Sequence, residues 1–293
     1  MIGSYYIVHM LILAGIYIIV TVSLNLALGF TGLLNLGHVA FFGIGAYTSA
    51  LLNMAGIPFF FSMIVGGLFA AVFGYLLVLA TNKLRGDYLA LATLGFSFVI
   101  HSLMLNLVSI TKGPLGIPGI PKPSFFGISI ASNYAYLGFV YLITVVCVWI
   151  IYKIVRSPFG RLLQATRDDE LGLRVLGKNT FMLKAKSMML SAFFAGIGGS
   201  LFAHYISYID PASFTITELI LMLTILIVGG IGSIKGSISA TFLILLIPEM
   251  LRFLDLPSSV VGPGRQILYA LMLILILLFR PRGLFGRIDL EHA

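Results

Sequence analysis

Charge is what this sequence is short of. Only 10% of its 293 residues are Asp, Glu, Lys or Arg, against about 25% in ordinary soluble domains. That shortage excludes a water-soluble fold, because too little polar surface exists to cover the apolar remainder. Cysteine is nearly absent too. The one thiol, Cys147, lies in an apolar run, so neither an intrachain disulfide nor a cysteine-built metal site can form. No Lys or Arg precedes Lys83. The basic region that opens a cleaved secretory signal is therefore missing, and the first apolar segment is expected to stay as a span. No G-x-x-x-x-G-K-[ST] stretch occurs. The nearest match, GGIGSIKGS from Gly229, has the wrong spacing for a phosphate cradle. The chain is thus expected to bind no cofactor and to hold no ATPase site of its own. Ser/His/Asp sets and metal-ligand spacings are lacking as well, which argues against an enzyme. The acids noted near the apolar runs, Asp210 and Glu249, fall close to segment ends. An ion-coupled secondary transporter would be expected to carry such groups at mid-depth.

What is present is oil. Hydrophobic residues make up 59% of the chain, with mean hydropathy +1.08. Apolar runs of about 20 residues recur, the length of helix that crosses a bilayer. They are continuous, as in ILYALMLILILLF at 267–279, and so read as helices rather than as the alternating strands of a barrel. The fold class predicted is all-α: a polytopic transmembrane bundle of about 8–10 spans, in one domain over residues 1–293. Spans are predicted at about 5–28, 33–53, 59–81, 88–110, 133–155, 184–206, 216–231, 236–254 and 265–280. The second and seventh are either full crossings or re-entrant segments. With a cytoplasmic C-terminus, this layout leaves Lys112, Lys122, Arg252 and Arg265 outside and the other fourteen of the 18 basic residues inside. The positive-inside bias then places the N-terminus outside. It also explains the +8 net charge without nucleic acid. The Pro/Gly-rich stretch at about 111–132 becomes an outer loop, and about 156–183 the longest inner loop.

Helices in lipid associate through small residues. Three stripes at a spacing of four fit that rule: Gly66/Ala70/Gly74, Ala192/Gly196/Ser200 (with Ala195/Gly199/Ala203 beside it) and Gly232/Gly236/Ala240. Two glycine-rich breaks interrupt apolar sequence, GFTGLLNLGH at 29–38 and GGIGSIKG at 229–236. Broken helices point to a transport path; the second break reads better as a turn with Lys235 at the inner surface.

The scarce charge is concentrated. RLLQATRDDELGLRVLGKN, 161–179, holds Arg161, Arg167, Asp168, Asp169, Glu170, Arg174 and Lys178. Ser157-Pro158 supplies an N-cap and an N1 proline, and Gly177 a stop. A short amphiphilic helix is predicted between them, with Leu162, Leu173 and Leu176 on one face, Asp169 intruding, and Gly172 loosening the middle. Adjacent acids oppose docking on anionic lipid, so a protein partner fits better.

The sequence resembles LivM-type permease subunits of branched-chain amino acid ABC importers. The likeness rests on GFTGLLNLGHVAFFGIGAYTSALL, LRGDYLALATLGF, TKGPLGIPGIP, SPFGRLLQATRDDELGLRVLG, SAFFAGIGGSLFAHYISYIDPASF, VGGIGSIKGSISA and LFRPRGLFG, in that order along the chain. Around RDDE, Ala165-Thr166 and Leu171-Gly172-Leu173 replace the family's alanine-rich residues. The resemblance implies a type II importer-like fold in the cytoplasmic membrane of a bacterium or archaeon. It implies a LivH-type permease partner, two LivG/LivF-type ATPase subunits that bind the ATP, and an extracytoplasmic amino-acid-binding protein. It also implies that 157–177 is the coupling helix seated in an ATPase groove, with Arg161, Arg167, Asp168, Asp169, Glu170, Arg174 and Gly177 as the coupling residues. Leucine, isoleucine and valine are the implied cargo; urea, amides and other amino acids are the alternatives. For the pathway, the polar residues of the apolar segments are the candidates: Asn25, Thr31, Asn35, Ser97 and Asn106, with His38 three positions after Asn35. For His38 a hydrogen-bonded packing role outweighs a substrate role. His101 and His204 are expected at the membrane interface.

Overall fold

The computed structural model describes residues 2–125, 128–130, 132–247, 258–280 and 282–286. The architecture is a helical bundle: α1 (Ile2–Ala27), α2 (His38–Met54), α3 (Phe59–Thr81), α4 (Gly86–Asn106), a one-turn α5 (Val108–Thr111), α6 (Asn133–Arg156), α7 (Pro158–Asp168), α8 (Glu170–Val175), α9 (Thr180–Ile206), α10 (Ile216–Gly229), α11 (Ile234–Leu246) and α12 (Ser258–Phe279). Six of these segments are long and apolar enough to cross a membrane: 5–27 in α1, α3, α4, α6, α9 and 211–229, which ends in α10. The chain is a multi-pass membrane protein.

Helix α1 is apolar all round and its inner turns, including Ile12, Ile16, Ile19 and Leu24, are fully buried, as expected of a helix at the centre of a bundle. Helix α9 packs on α3, α2 and α1; α6 and the α10–α11 hairpin flank α1. The small-residue stripes make the closest contacts. A Cβ on Gly199 would lie 1.9 Å from the Phe42 carbonyl oxygen of α2, and one on Gly45 2.2 Å from Gly196 Cα. In the third stripe Gly236 meets Gly229 across the hairpin, while Gly232 falls in the turn itself. The second break is therefore the tight turn that Lys235 suggested.

The first break differs from a span beginning at 33. Helix α2 starts only at His38, and its Nε2 lies 3.1 Å from the Val20 carbonyl, well inside the end of α1. Residues 33–37 run non-helically through the protein. Irregular backbone at membrane depth needs partners from neighbouring side chains. Thr93 of α4 supplies them, accepting from the Leu36 amide at 2.9 Å and donating to the Leu34 carbonyl at 3.1 Å. At 17 residues α2 is roughly 25 Å long, short of the ~30 Å hydrocarbon core. Helix α4 stops at Asn106 rather than 110, and α9 begins at Thr180 rather than 184. Residues 248–254 of the predicted 236–254 span, with Glu249 and Arg252, lie outside the described residues.

The bundle has two distinct ends. At one, Ile117–Pro118 pairs antiparallel with Tyr208–Ile209. That ladder pins the Pro/Gly-rich loop, and His9 reaches Tyr205 nearby. At the other, Arg85, the 157–184 segment, the α1–α2 connection and the α10–α11 turn meet. Residues 282–286 close over that turn, with the Leu284 amide on the Val228 carbonyl at 2.8 Å. His204 stands in the last turn of α9. Its side chain is fully buried on α9, bonded to the Ser200 carbonyl at 2.8 Å and edge-on to Phe59.

Candidate functional site at the charged end of the bundle

The predicted single helix over 157–177 is two helices. Ser157 Oγ accepts from the Gly160 amide and Pro158 occupies the first turn of α7, as the sequence indicates. The helix then ends at Asp168. Asp169 is extended (φ −153°, ψ 92°), and its carboxylate accepts from the Gly172 amide at 2.9 Å, capping α8. Asp is among the strongest N-caps, and here capping defeats continuation. Gly172 is what permits it: a Cβ there would lie 2.5 Å from Asp169 Oδ2. The glycine is a fitted part of the cap, not a loose spot. Gly177 (φ +75°) stops α8, and Asn179 caps α9 through the Met182 amide.

The break resets the faces. Leu163 and Leu173 turn inward with Leu26 of α1 and Leu183 of α9, forming a small separate core. Leu176, expected on that face, is exposed, as are Leu171 and Val175. These three apolar side chains form an exposed patch on α8 and its C-terminal end.

The charged residues divide into two groups. Arg161, Asp168 and Asp169 face out, as does Gly177. Glu170 faces in, with 13% of its side chain exposed. Its Oε2 receives Lys184 Nζ at 2.7 Å, and its Oε1 receives Arg174 Nη2 at 2.6 Å and Thr180 Oγ1 at 3.1 Å. Arg85 stands further off at 3.8 Å. Burial alone would raise the Glu170 pKa. The Lys184 ammonium, with Arg174 and Thr180, outweighs it and holds the carboxyl below its usual range. The group is an anionic latch joining α8 to the start of α9. Arg167 also turns inward: Nη1 donates to the Gly29 carbonyl at 2.8 Å while Nε donates to Asp168 Oδ1 at 2.8 Å.

The pathway candidates are spread through the fold. Asn25, Thr31, Asn35 and His38 are fully or almost fully buried and bonded within the chain. Asn25 donates to Ser237 Oγ at 2.8 Å and accepts from the Gly232 amide at 2.9 Å. Thr31 meets Ser187 at 2.6 Å. Asn35 precedes α2 rather than sharing its face. It accepts from the Gly37 amide at 3.0 Å and reaches His38 Nδ1 at 3.3 Å, and His38 Nε2 meets Ser23 at 3.1 Å. Ser97 bonds back to the Leu94 carbonyl of its own helix. Asn106 is exposed at the far end of α4, bonded to Ser102. Of the six, only Asn35 and His38 touch.

Residues outside the predicted set also take part. Lys184 and Thr180 complete the latch; nothing in their spacing from Glu170 announces it. Glu218, in the first turn of α10, accepts a 2.5 Å hydrogen bond from Tyr17 of mid-α1. An acid does therefore stand among the apolar segments. Its signal was legible, since an ionisable residue inside an apolar run is a functional candidate by default.

Fold and site together define a multi-pass helical membrane protein with a capped, ionically latched segment at one end. Comparison with known proteins adds the family. The profile described as branched-chain amino acid transport system / permease component matches residues 6–279, and the chain belongs to that family. It is 37% identical over 293 residues to the high-affinity branched-chain amino acid transport system permease protein LivM of Escherichia coli K12, covering 92% of this chain and 67% of that protein. The probable LivM permease of Methanocaldococcus jannaschii is 24% identical over 320 residues, covering 92% and 90%. The E. coli permease protein LivH is 24% identical over 299 residues, covering 96% and 94%. No solved structure matches.

Proposed function

We propose that this chain is one permease half of an ATP-driven importer that carries leucine, isoleucine and valine inward. A LivH-type permease forms the other half, two LivG/LivF-type ATPases drive it from the cytosol, and an extracytoplasmic binding protein delivers the solute. The charged end of the bundle is cytosolic and the N-terminus lies outside, in the inner membrane. Family membership and the LivM likeness support this reading, as does the partition of basic residues. Because the chain supplies no phosphate-binding loop, work must reach it through a contact.

The observation that carries the reading is the capped segment itself. Its inner groups tie it to the body while Leu171, Val175 and Leu176 stand exposed beside Arg161, Asp168 and Asp169. We assign those outward groups to the ATPase interface, and Glu170, Arg174 and Gly177 to holding it in shape. Anchors of this kind are worth about 2 kcal/mol or more when truncated. The test is uptake of labelled leucine by a strain lacking its own importer, with urea, short amides and aromatic amino acids as competitors. Leu171→Asp/Val175→Asp is expected to lose the co-purifying ATPases and more than about tenfold of the uptake. Wild-type assembly in that variant would remove the docking assignment. Uptake blocked by urea but not by valine would change the cargo.

A further inference from the structure

We infer that Arg167 is the positioning residue that ties the movable cytosolic segment to both glycine breaks of the membrane domain. The inference rests on the reading just given. Covalently, the segment hangs from α6 and α9 alone. Through Arg167 it also holds elements remote in sequence. The guanidinium has two commitments: Nε and Nη2 lie 2.8 and 2.7 Å from Asp168 Oδ1, and Nη1 donates to the Gly29 carbonyl at 2.8 Å. Asp168 thereby aims the group at the end of α1.

The connection it reaches is shaped around it. Gly32 has φ +72°, and a Cβ there would lie 2.8 Å from Arg167 Cγ. The arginine stem therefore rests on a backbone that only glycine leaves open. From this connection the contacts run on in two directions. Along the chain, residues 33–37 lead into α2, held to α4 by Thr93. Across the bundle, a Cβ on Gly29 would lie 2.6 Å from the Gly232 amide. Asn25, fully buried one turn earlier, grips the same turn by accepting from Gly232 and donating to the Ser233 carbonyl at 3.1 Å and to Ser237. A shift of α7 by about one hydrogen-bond length must either break the Gly29 bond or carry the α1–α2 connection and the α10–α11 turn with it. Packed elements with two arrangements are how such couplings act, and a demonstrated change in coupling is the proof required.

The test uses the assembled transporter in proteoliposomes, reading solute moved per ATP hydrolysed. Arg167→Ala is expected to lower that ratio about tenfold, the scale of one lost charge-assisted hydrogen bond, with subunits still co-purifying in wild-type proportion. Arg167→Lys keeps the charge but cannot serve both Asp168 and Gly29, and should fall between. Gly32→Ala should match Arg167→Ala, and the double variant should be no worse than the poorer single, since both cut one link. A wild-type ratio for Arg167→Ala, or losses that multiply, would overturn the inference.

A second readout needs no solute: nitroxides at Gln164 and Lys235, followed with and without nucleotide. Their separation should hold constant in the parent protein and spread in Arg167→Ala; equal behaviour in both would also overturn it. If the parent complex moves no branched-chain amino acid, the cargo reading fails, and the nitroxide result still decides the role of Arg167.

Discussion

Replacing Gly199 with leucine removes the protein from the membrane fraction. The position allows no compromise. A Cβ there would stand 1.9 Å from the Phe42 carbonyl oxygen and 2.9 Å from the Ala46 amide, and backbone cannot swing aside as a side chain can. Sliding α2 along α9 is blocked as well. One turn along, Gly45 lies against Gly196, and Ser200 Oγ donates to the Gly45 carbonyl at 3.2 Å. On the third side, a Cβ on Gly196 would meet Ala70 and Gly67 of α3 at 3.0 Å. The three helices must part together. Overpacking a core costs about 1–3 kcal/mol even where neighbours can adjust, out of a total stability of about 5–15 kcal/mol. In lipid no hydrophobic force draws separated helices back. The measurement is the amount of chain in washed membranes and its elution as a single species in mild detergent. Gly95→Leu is the control, because a Cβ on Gly95 meets nothing within 4 Å, and it should accumulate normally. Normal accumulation of Gly199→Leu would mean that α2 and α9 are not in contact.

The second large effect belongs to the latch. Glu170→Ala leaves Lys184 with 12% of its side chain exposed and no carboxylate. Breaking a fully buried pair costs about 3–5 kcal/mol. Water reaches the end of the bundle, so about 2–3 kcal/mol is the fitting figure here. The release should be local: residues 170–178 lose protection against amide exchange and proteolysis while α1 and α9 keep theirs. On the proposed reading uptake should fall with it, since the side chains assigned to the ATPase interface include those of α8. Glu170→Lys with Lys184→Glu should recover part of the protection, because the pair is re-formed in reverse. Protection in Glu170→Ala equal to that of the parent chain would show that the leucine core alone holds α8.

The same latch sets a pH dependence. Its carboxyl titrates lower in the folded chain than in the unfolded one, so unfolding takes up protons and stability rises with pH. The contribution is complete above the unfolded carboxylate value of about 4.3 and is lost as pH falls through the lower, folded value. Protection of 170–178 should be flat from neutrality down to about pH 5 and collapse only in stronger acid.

Part of this arrangement is legible in the sequence. Apolar run length marks the six segments of the described residues that can cross a membrane, because a bilayer imposes one dimension on every crossing helix; it does not mark the late start of α2. The caps at Ser157 and Gly177 were readable because capping is local chemistry. What escaped was non-local or competitive. By spacing Asp169 intrudes on a helix face, whereas its carboxylate caps the start of the next helix. In sequence Glu170 belongs with its charged neighbours; its inward turn depends on Lys184, fourteen positions on, and on the break resetting its direction. The depth at which α2 begins rests on Thr93 satisfying the backbone of 34–36, a contact between elements nearly sixty residues apart. Asn25, Thr31 and Asn35 were noticed as polar residues in oil, but sequence alone does not separate a hydrogen-bonded buried group from a wetted one.

Three side chains, Ser157, Asp169 and Asn179, each close a helix start within 23 residues. The segment at the charged end of the bundle is thus finished in shape on its own. On the proposed reading, little chain freedom would be surrendered on contact with the ATPase, and a part that does not need to fold in order to be gripped can be released and gripped again at every turnover.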